Sequence, residues 1–134
     1  ERVYASYPHQ LSGGMGQRAM IAMMLVAEPD LLIADEPTSA LDVTVQNEVL
    51  RILDDLVQKR GMGLIFISHN LAIVSSFCDR VLIMYGGRIL EQIAAKDLAQ
   101  AKHPYTRALL AAAPSLDQPR DTLATVVRDP AWLA

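Results

Sequence analysis

The stretch LLIADEPT, residues 31–38, decides the fold class of this chain. Its first four residues are apolar, and two acids and a proline follow them. This pattern is typical of a strand buried on both faces with polar groups at its carboxyl end. A second apolar run, LIFI at residues 64–67, is also predicted to be a buried strand, and it ends at the polar string SHN, residues 68–70. We therefore expect two strands that each end in polar side chains.

Helical patterns surround these two strands. Ser12 precedes a stretch with apolar residues at helical spacing, which predicts a helix over about 13–27 whose methionines lie in the core. Asp42 is placed to cap a second helix, whose apolar stripe ends before Gly61. A short helix is predicted over 71–77. The alternation of helices and strands predicts an α/β fold with a parallel sheet.

The later part of the chain adds antiparallel structure. The apolar run 81–85, the dipeptide at 86–87 (Gly-Gly) and the run 88–91 form the pattern of a hairpin with a two-residue turn. Short helices are predicted over 97–102 and 105–113. The parallel sheet should therefore end in a C-terminal antiparallel hairpin.

The most specific string is LSGGMGQR, residues 11–18. Adjacent glycines in the first turn of a helix let an anion approach the backbone N–H groups, which have no acceptor within the helix. The helix dipole adds positive potential, and the Ser12 hydroxyl can bind an oxygen. Taken alone, Ser-Gly-Gly is more often a serine cap followed by a tight helix start.

Three further polar residues have a chemical and a plain structural interpretation. Asp35 could hold Mg²⁺ through carboxylate oxygens, and Glu36 could orient and deprotonate a water molecule. Both could equally be acids that cap the turn after a strand. A lone histidine such as His69 is usually only a hydrogen-bonded turn residue.

Four strings in chain order resemble the motifs of ABC ATPases. The string 11–18 resembles the signature motif, 31–38 the Walker B strand, 39–42 (SALD) the D-loop, and 67–70 (ISHN) the switch or H-loop. The resemblance implies a P-loop NTPase fold of the ABC type, with a partial parallel sheet, flanking helices and the C-terminal hairpin. The implied cofactors are ATP and Mg²⁺.

The resemblance also implies a role for each motif residue. Asp35 would bind the metal, Glu36 would be the catalytic base, and His69 would contact the γ-phosphate. The D-loop residue Asp42 would lie at a dimer interface, where its role as a helix cap is compatible with this position. The signature would face the nucleotide held by the partner subunit through four residues: Ser12, Gly13, Gly14 and Gln17.

Two more strings place the chain in a branch of that family. SYPHQ, residues 6–10, and HPYTRALL, residues 103–110, resemble the oligopeptide, dipeptide and nickel importers. The resemblance divides the chain into the C-terminal part of an ABC ATPase domain, residues 1–94, and the start of an importer-type extension, residues 95–134. By pattern alone, 103–110 is an amphipathic helix behind a proline. The cysteine-bearing segment that many members carry further on is not found, so an iron–sulfur cluster is not expected.

The implied function is ATP hydrolysis that powers the import of peptides or related small solutes such as nickel. Implied partners are a second ATPase subunit, identical or different, the transmembrane permease subunits and, indirectly, an extracytoplasmic solute-binding protein. The implied location is the cytoplasmic face of the cell membrane. The alternative is a soluble ABC-type ATPase without a transport role, which should lack the string at 103–110. A non-hydrolysing module is disfavoured because Glu36 and His69 are both present.

Composition excludes several other classes. The 134 residues carry 12 basic and 15 acidic side chains and no basic run, so nucleic acid is not an expected partner. The longest apolar run, 19–27, is shorter than the roughly 20 residues of a membrane helix. The single cysteine, Cys78, excludes an internal disulfide and fits a reducing compartment.

Several ABC elements are absent from the sequence, since neither the glutamine loop nor the aromatic residue that stacks on adenine in the family is identifiable. The phosphate-binding pattern GxxxxGK[ST] does not occur in the 134 residues either. The resemblance places all of these elements before Glu1, and it places the strand of the phosphate-binding loop between those at 64–67 and 81–85. We therefore expect a C-terminal fragment that is inactive toward ATP by itself, although its full-length parent is an ATPase. We also expect the fragment to self-associate or repack around the vacant position.

Overall fold

A computed structural model describes residues 4–39, 41–113, 126 and 129–133. The chain divides into two compact units, Glu1–His69 and Asn70–Ala134. The predicted D-loop and the predicted extension fall partly outside the described residues. Ala40 of the D-loop string is not described, and neither are most residues of the extension beyond residue 113.

The first unit contains two long helices, each capped by a side chain. Helix α1 spans Gly13–Leu25, and the Ser12 hydroxyl accepts a hydrogen bond from the backbone N–H of Met15 at 3.4 Å. Helix α2 spans Val43–Arg60, with Asp42 as its cap. A short 3₁₀ helix, Pro8–Gln10, precedes them. Both predicted helices are confirmed, although α1 ends two residues earlier than expected.

The two strands of this unit are parallel, as predicted. Strand β1 spans Leu31–Asp35 and strand β2 spans Gly63–Ile67, paired in register from their first residues to their last. Gly61, in the left-handed conformation with φ 63°, ends α2 and turns the chain into β2. The buried side chains of the unit include Ile21, Leu32, Ala34, Val49, Leu53 and Met62.

The prediction that these strands are buried on both faces is wrong for this chain. In β1, the buried residues Leu32 and Ala34 alternate with exposed ones, because successive side chains of a strand point to opposite faces. The described residues of the unit cover only one face of the sheet. The other face leaves four large apolar side chains exposed: Leu31, Ile33, Ile65 and Ile67.

The second unit is built around a hairpin. Helix α3 spans Leu71–Phe77, strand β3 spans Arg80–Tyr85, strand β4 spans Arg88–Ala94, and helix α4 spans Pro104–Ala112. β3 and β4 are antiparallel, as predicted, and the glycines between them have positive φ. The expected helix over 97–102 is instead a 3₁₀ helix, Ala95–Gln100, and a shorter one spans Pro130–Leu133. None of the helices in the described ranges has the length and hydropathy to cross a membrane.

A carboxylate on β4 anchors the start of α4. Glu91 accepts hydrogen bonds from the backbone N–H groups of Lys102, at 2.7 Å, and His103, at 3.3 Å. Partial burial acts to raise the pKa of Glu91, but the Thr106 hydroxyl, these backbone groups and the nearby His103 outweigh it and lower that pKa. Thr106 is fully buried, and its hydroxyl lies near enough to the Glu91 carboxylate to lower the pKa of that group.

An aromatic cluster joins α4 to the hairpin. The rings of Tyr85, Tyr105 and Trp132 lie with centroids 4.8 to 5.6 Å apart, in tilted and edge-on arrangements. Trp132 is buried. Aromatic pairs in such geometries add stability beyond the area that they bury. Residues on both sides of the 94/95 boundary are therefore packed together within this unit.

Candidate functional site

The carboxyl edge of the parallel sheet carries the candidate catalytic residues. The backbone N–H of Glu36 donates to the carbonyl of Ile67 at 2.9 Å, which extends the pairing of β1 and β2 by one residue. The chain then turns sharply, and the Ser39 N–H and hydroxyl both bond to the Glu36 carbonyl. The turn fixes the backbone of Glu36 at the end of its strand.

Glu36 and His69 form a direct pair at this edge. Nδ1 of His69 lies 2.7 Å from Oε1 of Glu36, and the backbone N–H of His69 donates to the same oxygen at 3.0 Å. An ionised carboxylate can only accept, so Nδ1 must carry a proton and donate it. The His69 side chain is 82% exposed and that of Glu36 34%. The pair is therefore fixed on one side and open to solvent on the other.

The backbone of Glu36 is in the left-handed conformation, with φ 46°. Only one other non-glycine residue among those described, Glu28, has positive φ. Glu28 follows the end of α1, where a left-handed residue commonly terminates a helix. Positive φ therefore does not identify a functional residue by itself. What distinguishes Glu36 is the combination of this backbone with the bond to His69.

Asp35 is the last residue of β1 and is exposed. Proteins usually hold Mg²⁺ through one or two carboxylates, with water and substrate phosphates completing the shell. A single exposed aspartate beside the Glu36–His69 pair fits that mode. Among the described residues no group of three or more metal-ligating side chains occurs, so most ligands of a bound Mg²⁺ would come from water or phosphate.

The signature residues lie at the start of α1. The Ser12 hydroxyl oxygen caps the helix, which leaves its O–H able to donate to an anion. Gly13 is exposed, Gly14 is buried, and Gln17 lies one turn further along. Gly13 approaches Leu41 of the D-loop string, where a Cβ on the glycine would be 3.5 Å from Leu41 Cδ2. The signature and the D-loop are thus neighbours.

The structure brings the predicted site residues together in two groups. One comprises Asp35, Glu36 and His69 at the sheet edge. The other comprises the signature residues and Asp42, whose carboxylate caps α2 by accepting from the Val45 N–H at 3.0 Å. No hydrogen bond joins the two groups in the described part of the chain. In this chain the signature does not complete the sheet-edge site.

Sequence reasoning missed the cluster around Glu91. Nothing in the string ILEQIA at residues 89–94 singles out this glutamate, because its donors are backbone groups eleven and twelve residues later. The only signal was His103-Pro104, which marked a helix start. The cluster has a structural role, and it fixes the first turn of α4.

A family profile described as "ABC transporter" matches residues 1–39. The dipeptide transport ATP-binding protein of Haemophilus influenzae is 51% identical over 87% of this chain and 36% of its own length. The oligopeptide transport ATP-binding protein of Escherichia coli is 49% identical over 92% of this chain and 37% of its own length. The chain thus spans little more than a third of these relatives.

Solved structures give the same placement. A dimeric ATP-binding cassette in a post-hydrolysis state, bound to ADP and Pi, matches with a TM-score of 0.64 and 29% identity, over 72% of this chain and 41% of that one. A component of an ABC transporter complex from Clostridium perfringens matches with a TM-score of 0.64 and 36% identity, over 69% and 37%. The chain therefore has the fold predicted from its motifs.

Proposed function

We propose that this chain, which belongs to the ABC transporter ATP-binding family, supplies the catalytic carboxylate, a metal-binding aspartate and a signature helix for ATP hydrolysis. The observation that carries the proposal is the hydrogen bond between Glu36 and His69 at the carboxyl edge of two adjacent parallel strands. Ligands of open α/β sheets bind at such an edge.

In the proposed mechanism, Glu36 is the general base. Its carboxylate orients a water molecule and takes a proton from it as the water oxygen attacks the γ-phosphorus. The bond between the γ-phosphorus and the ADP oxygen breaks as the new bond forms. The bonds from the backbone and ring of His69 hold Oε1 of Glu36 in place, so the carboxylate needs little reorganisation during the reaction.

The other side of the His69 ring faces solvent and is proposed to contact the γ-phosphate. Nδ1 donates to Glu36, so Nε2 of a neutral ring is an acceptor. A phosphate oxygen is also an acceptor, and the contact therefore requires the doubly protonated ring. Asp35 would hold Mg²⁺, which when bound neutralises charge on the phosphates.

The signature helix is proposed to serve a second nucleotide. Ser12, Gly13, Gly14 and Gln17 form no hydrogen bond with the Glu36–His69 pair, although a helix N-terminus with these residues suits a phosphate. We propose that they contact the ATP bound by a second ATPase subunit, with Asp42 near that interface. The two separate groups of site residues support this arrangement.

The proposed role of the whole protein is to power import by transmembrane permease subunits at the cytoplasmic face of the membrane. Peptides are the proposed solutes, because relatives about 50% identical are named as dipeptide and oligopeptide transport proteins. A solute-binding protein outside the membrane would act indirectly. The residues 95–134 are proposed to begin an importer-type extension that follows the ATPase part at 1–94.

The Glu36→Gln variant of the full-length protein tests the proposal. It keeps the size of the side chain but removes the base, so hydrolysis should fall by about 10²-fold or more while ATP binding persists. Glu28→Gln is the matched control, because Glu28 also has positive φ but follows a helix, and its turnover should be unchanged. Steady-state phosphate release and calorimetric ATP binding measure the two effects. Near-normal turnover of Glu36→Gln would refute the assignment.

A further inference from the structure

Gly14 occupies a space that no other residue could fill without displacing its neighbour. A Cβ at this position would collide with Cγ1 of Val45 and lie 3.5 Å from Cβ and Cγ2 of the same side chain. The other glycines of α1 differ. A Cβ at Gly13 would make an ordinary contact, and one at Gly16 would meet nothing within 4 Å. Of these three glycines, only Gly14 is therefore required by packing.

Val45 is held from two directions. It is the third residue of α2, and its backbone N–H donates to the carboxylate of Asp42, the capping residue of that helix. Its side chain packs against the space left by the missing Cβ of Gly14. The contact thus links the first turn of the signature helix to the first turn of the helix that follows the D-loop.

A second contact lies one turn further along both helices. Arg18 pairs with Glu48 at 3.1 Å, and its Nε donates to the carbonyl of Gly14 at 3.3 Å. Residues 14 and 18 thus meet residues 45 and 48 in the same order, so α1 and α2 begin side by side and run in the same direction. Both side chains of the ion pair are nearly half exposed, so this pair contributes little compared with the close packing at Gly14.

We propose that Val45 is a positioning residue for the signature. Its side chain sets the spacing between the first turns of α1 and α2, and so it places the Ser12 hydroxyl and the free N–H groups of α1. Gly14 is then needed for this packing as well as for the approach of a phosphate. The effect on hydrolysis rests on the function proposed above, whereas the packing does not.

A double substitution in the full-length protein tests this role. Gly14→Ala should lower kcat about tenfold with KM nearly unchanged, because the displaced signature would act on closure around ATP and not on its first binding. Adding Val45→Ala removes Cγ1 and Cγ2, and leaves only the ordinary contact with Cβ at 3.5 Å. The double variant should therefore recover kcat to within about threefold of the wild type.

Thermal unfolding provides the second measurement. Gly14→Ala should lower Tm by about 2–4 °C, and Val45→Ala should restore most of that loss. Gly16→Ala is the matched control for packing in the same helix, because its Cβ meets nothing within 4 Å, and its Tm should be retained. If Gly14→Ala does not fold, the yield of folded protein replaces Tm as the measurement, and its recovery in the double variant supports the packing.

The outcomes separate this inference from the proposed function. A double variant no better than Gly14→Ala in either measurement overturns the inference and leaves the signature assignment intact. Recovery of Tm without recovery of kcat also overturns the positioning role, since it assigns Gly14 to phosphate contact alone. The proposed function fails separately, if Glu36→Gln keeps normal turnover.

Discussion

Each of the two units contains a glutamate that bonds to the backbone of a histidine, and the two pairs differ in how the histidine ring is used. In the first unit, Nδ1 of His69 is a donor to Glu36. In the second, Nδ1 of His103 is an acceptor for the backbone N–H of Tyr105, at 3.1 Å, and caps α4. Nδ1 is therefore the donor atom in His69 and the acceptor atom in His103.

This difference distinguishes the carboxylate that we propose as the catalytic base from a structural one. Glu91 receives two backbone N–H groups, and its histidine is committed to a helix cap. Glu36 shares one oxygen between a backbone and a ring donor, and that ring remains largely exposed to solvent. The two backbone N–H groups bonded to Glu91 and Nδ1 of His103 already have partners, so none of them remains available to a substrate. The exposed ring of His69 is available to one.

We propose nucleotide chemistry for the first unit, and the largest expected effect is that of Ser12→Arg in the full-length protein. A long cation in place of the capping hydroxyl should block ATP-driven closure and reduce hydrolysis by about 10²-fold, with ATP affinity of the separate subunit unchanged. Ser75→Arg, at an exposed position of α3, is the control and should keep its turnover. Strongly weakened ATP binding by Ser12→Arg would mean that the signature acts within its own subunit.

The two histidines should show opposite effects on activity and stability. His69→Ala should reduce hydrolysis about tenfold or more, because it removes the ring that holds Glu36. His103→Ala should leave turnover within about twofold but destabilise the first turn of α4 by about 1 kcal/mol, because it removes a helix cap. Phosphate release and hydrogen exchange of the Tyr105 amide measure the two effects. Equal losses of turnover in both variants would abolish the distinction.

Each unit also exposes an apolar face in this 134-residue chain. Leu82, Met84 and Ile89 are exposed on the hairpin, as are Ile33 and Ile65 on the parallel sheet. We expect the chain by itself to self-associate, because large exposed apolar patches and open strand edges invite pairing.

A pair of lysine substitutions tests which face drives the association. Ile33→Lys with Ile65→Lys should weaken the association about tenfold, since two buried charges oppose the contact. Thr44→Lys with Asn47→Lys, at exposed positions of α2, adds the same charge elsewhere and should not. Light scattering over a concentration series measures the association. A compact monomer at all concentrations would contradict the expectation.

The smallest expected effect is the pH dependence of the Glu91 anchor. The folded-state pKa of Glu91 lies below its ordinary value of 4.5. Its stabilisation is therefore present above that value and is lost as the pH falls through the lower, folded-state pKa. The anchor is only partly buried, so we expect less than about 1 kcal/mol.

Hydrogen exchange of the Lys102 and His103 amides should detect this effect. The protection of these amides should decrease from about pH 5 downward in the wild type. In Glu91→Gln the protection of these amides should already be lower above pH 5, and it should not show this acid-induced decrease. An identical acid dependence in both proteins would assign the titration to another group.

The sequence predicted best those features that depend only on residues close together in the chain. The caps at Ser12 and Asp42 and the turn at Gly61 depend on neighbouring residues alone, and the structure confirms all three. The roles of the site residues and the boundary at 94/95 stay predictions.

Burial was predicted less well, because it depends on which layers are present around a strand or a helix. Met20, Met23 and Met24 of α1, which we expected in the core, are exposed. Helical periodicity identifies a face of a helix but not the partner that covers it. The Glu91 anchor was not predictable either, because its donors are backbone groups that have no sequence signature.

The aromatic cluster of the second unit provides an optical reporter. Trp132 is the only tryptophan of this chain, and it is buried and packs against both Tyr85 and Tyr105. When the excitation wavelength is long enough to excite tryptophan but not tyrosine, the fluorescence of the chain therefore originates at the contact between α4 and the hairpin. The emission maximum should follow the detachment of this contact separately from events at the parallel sheet, without any added label.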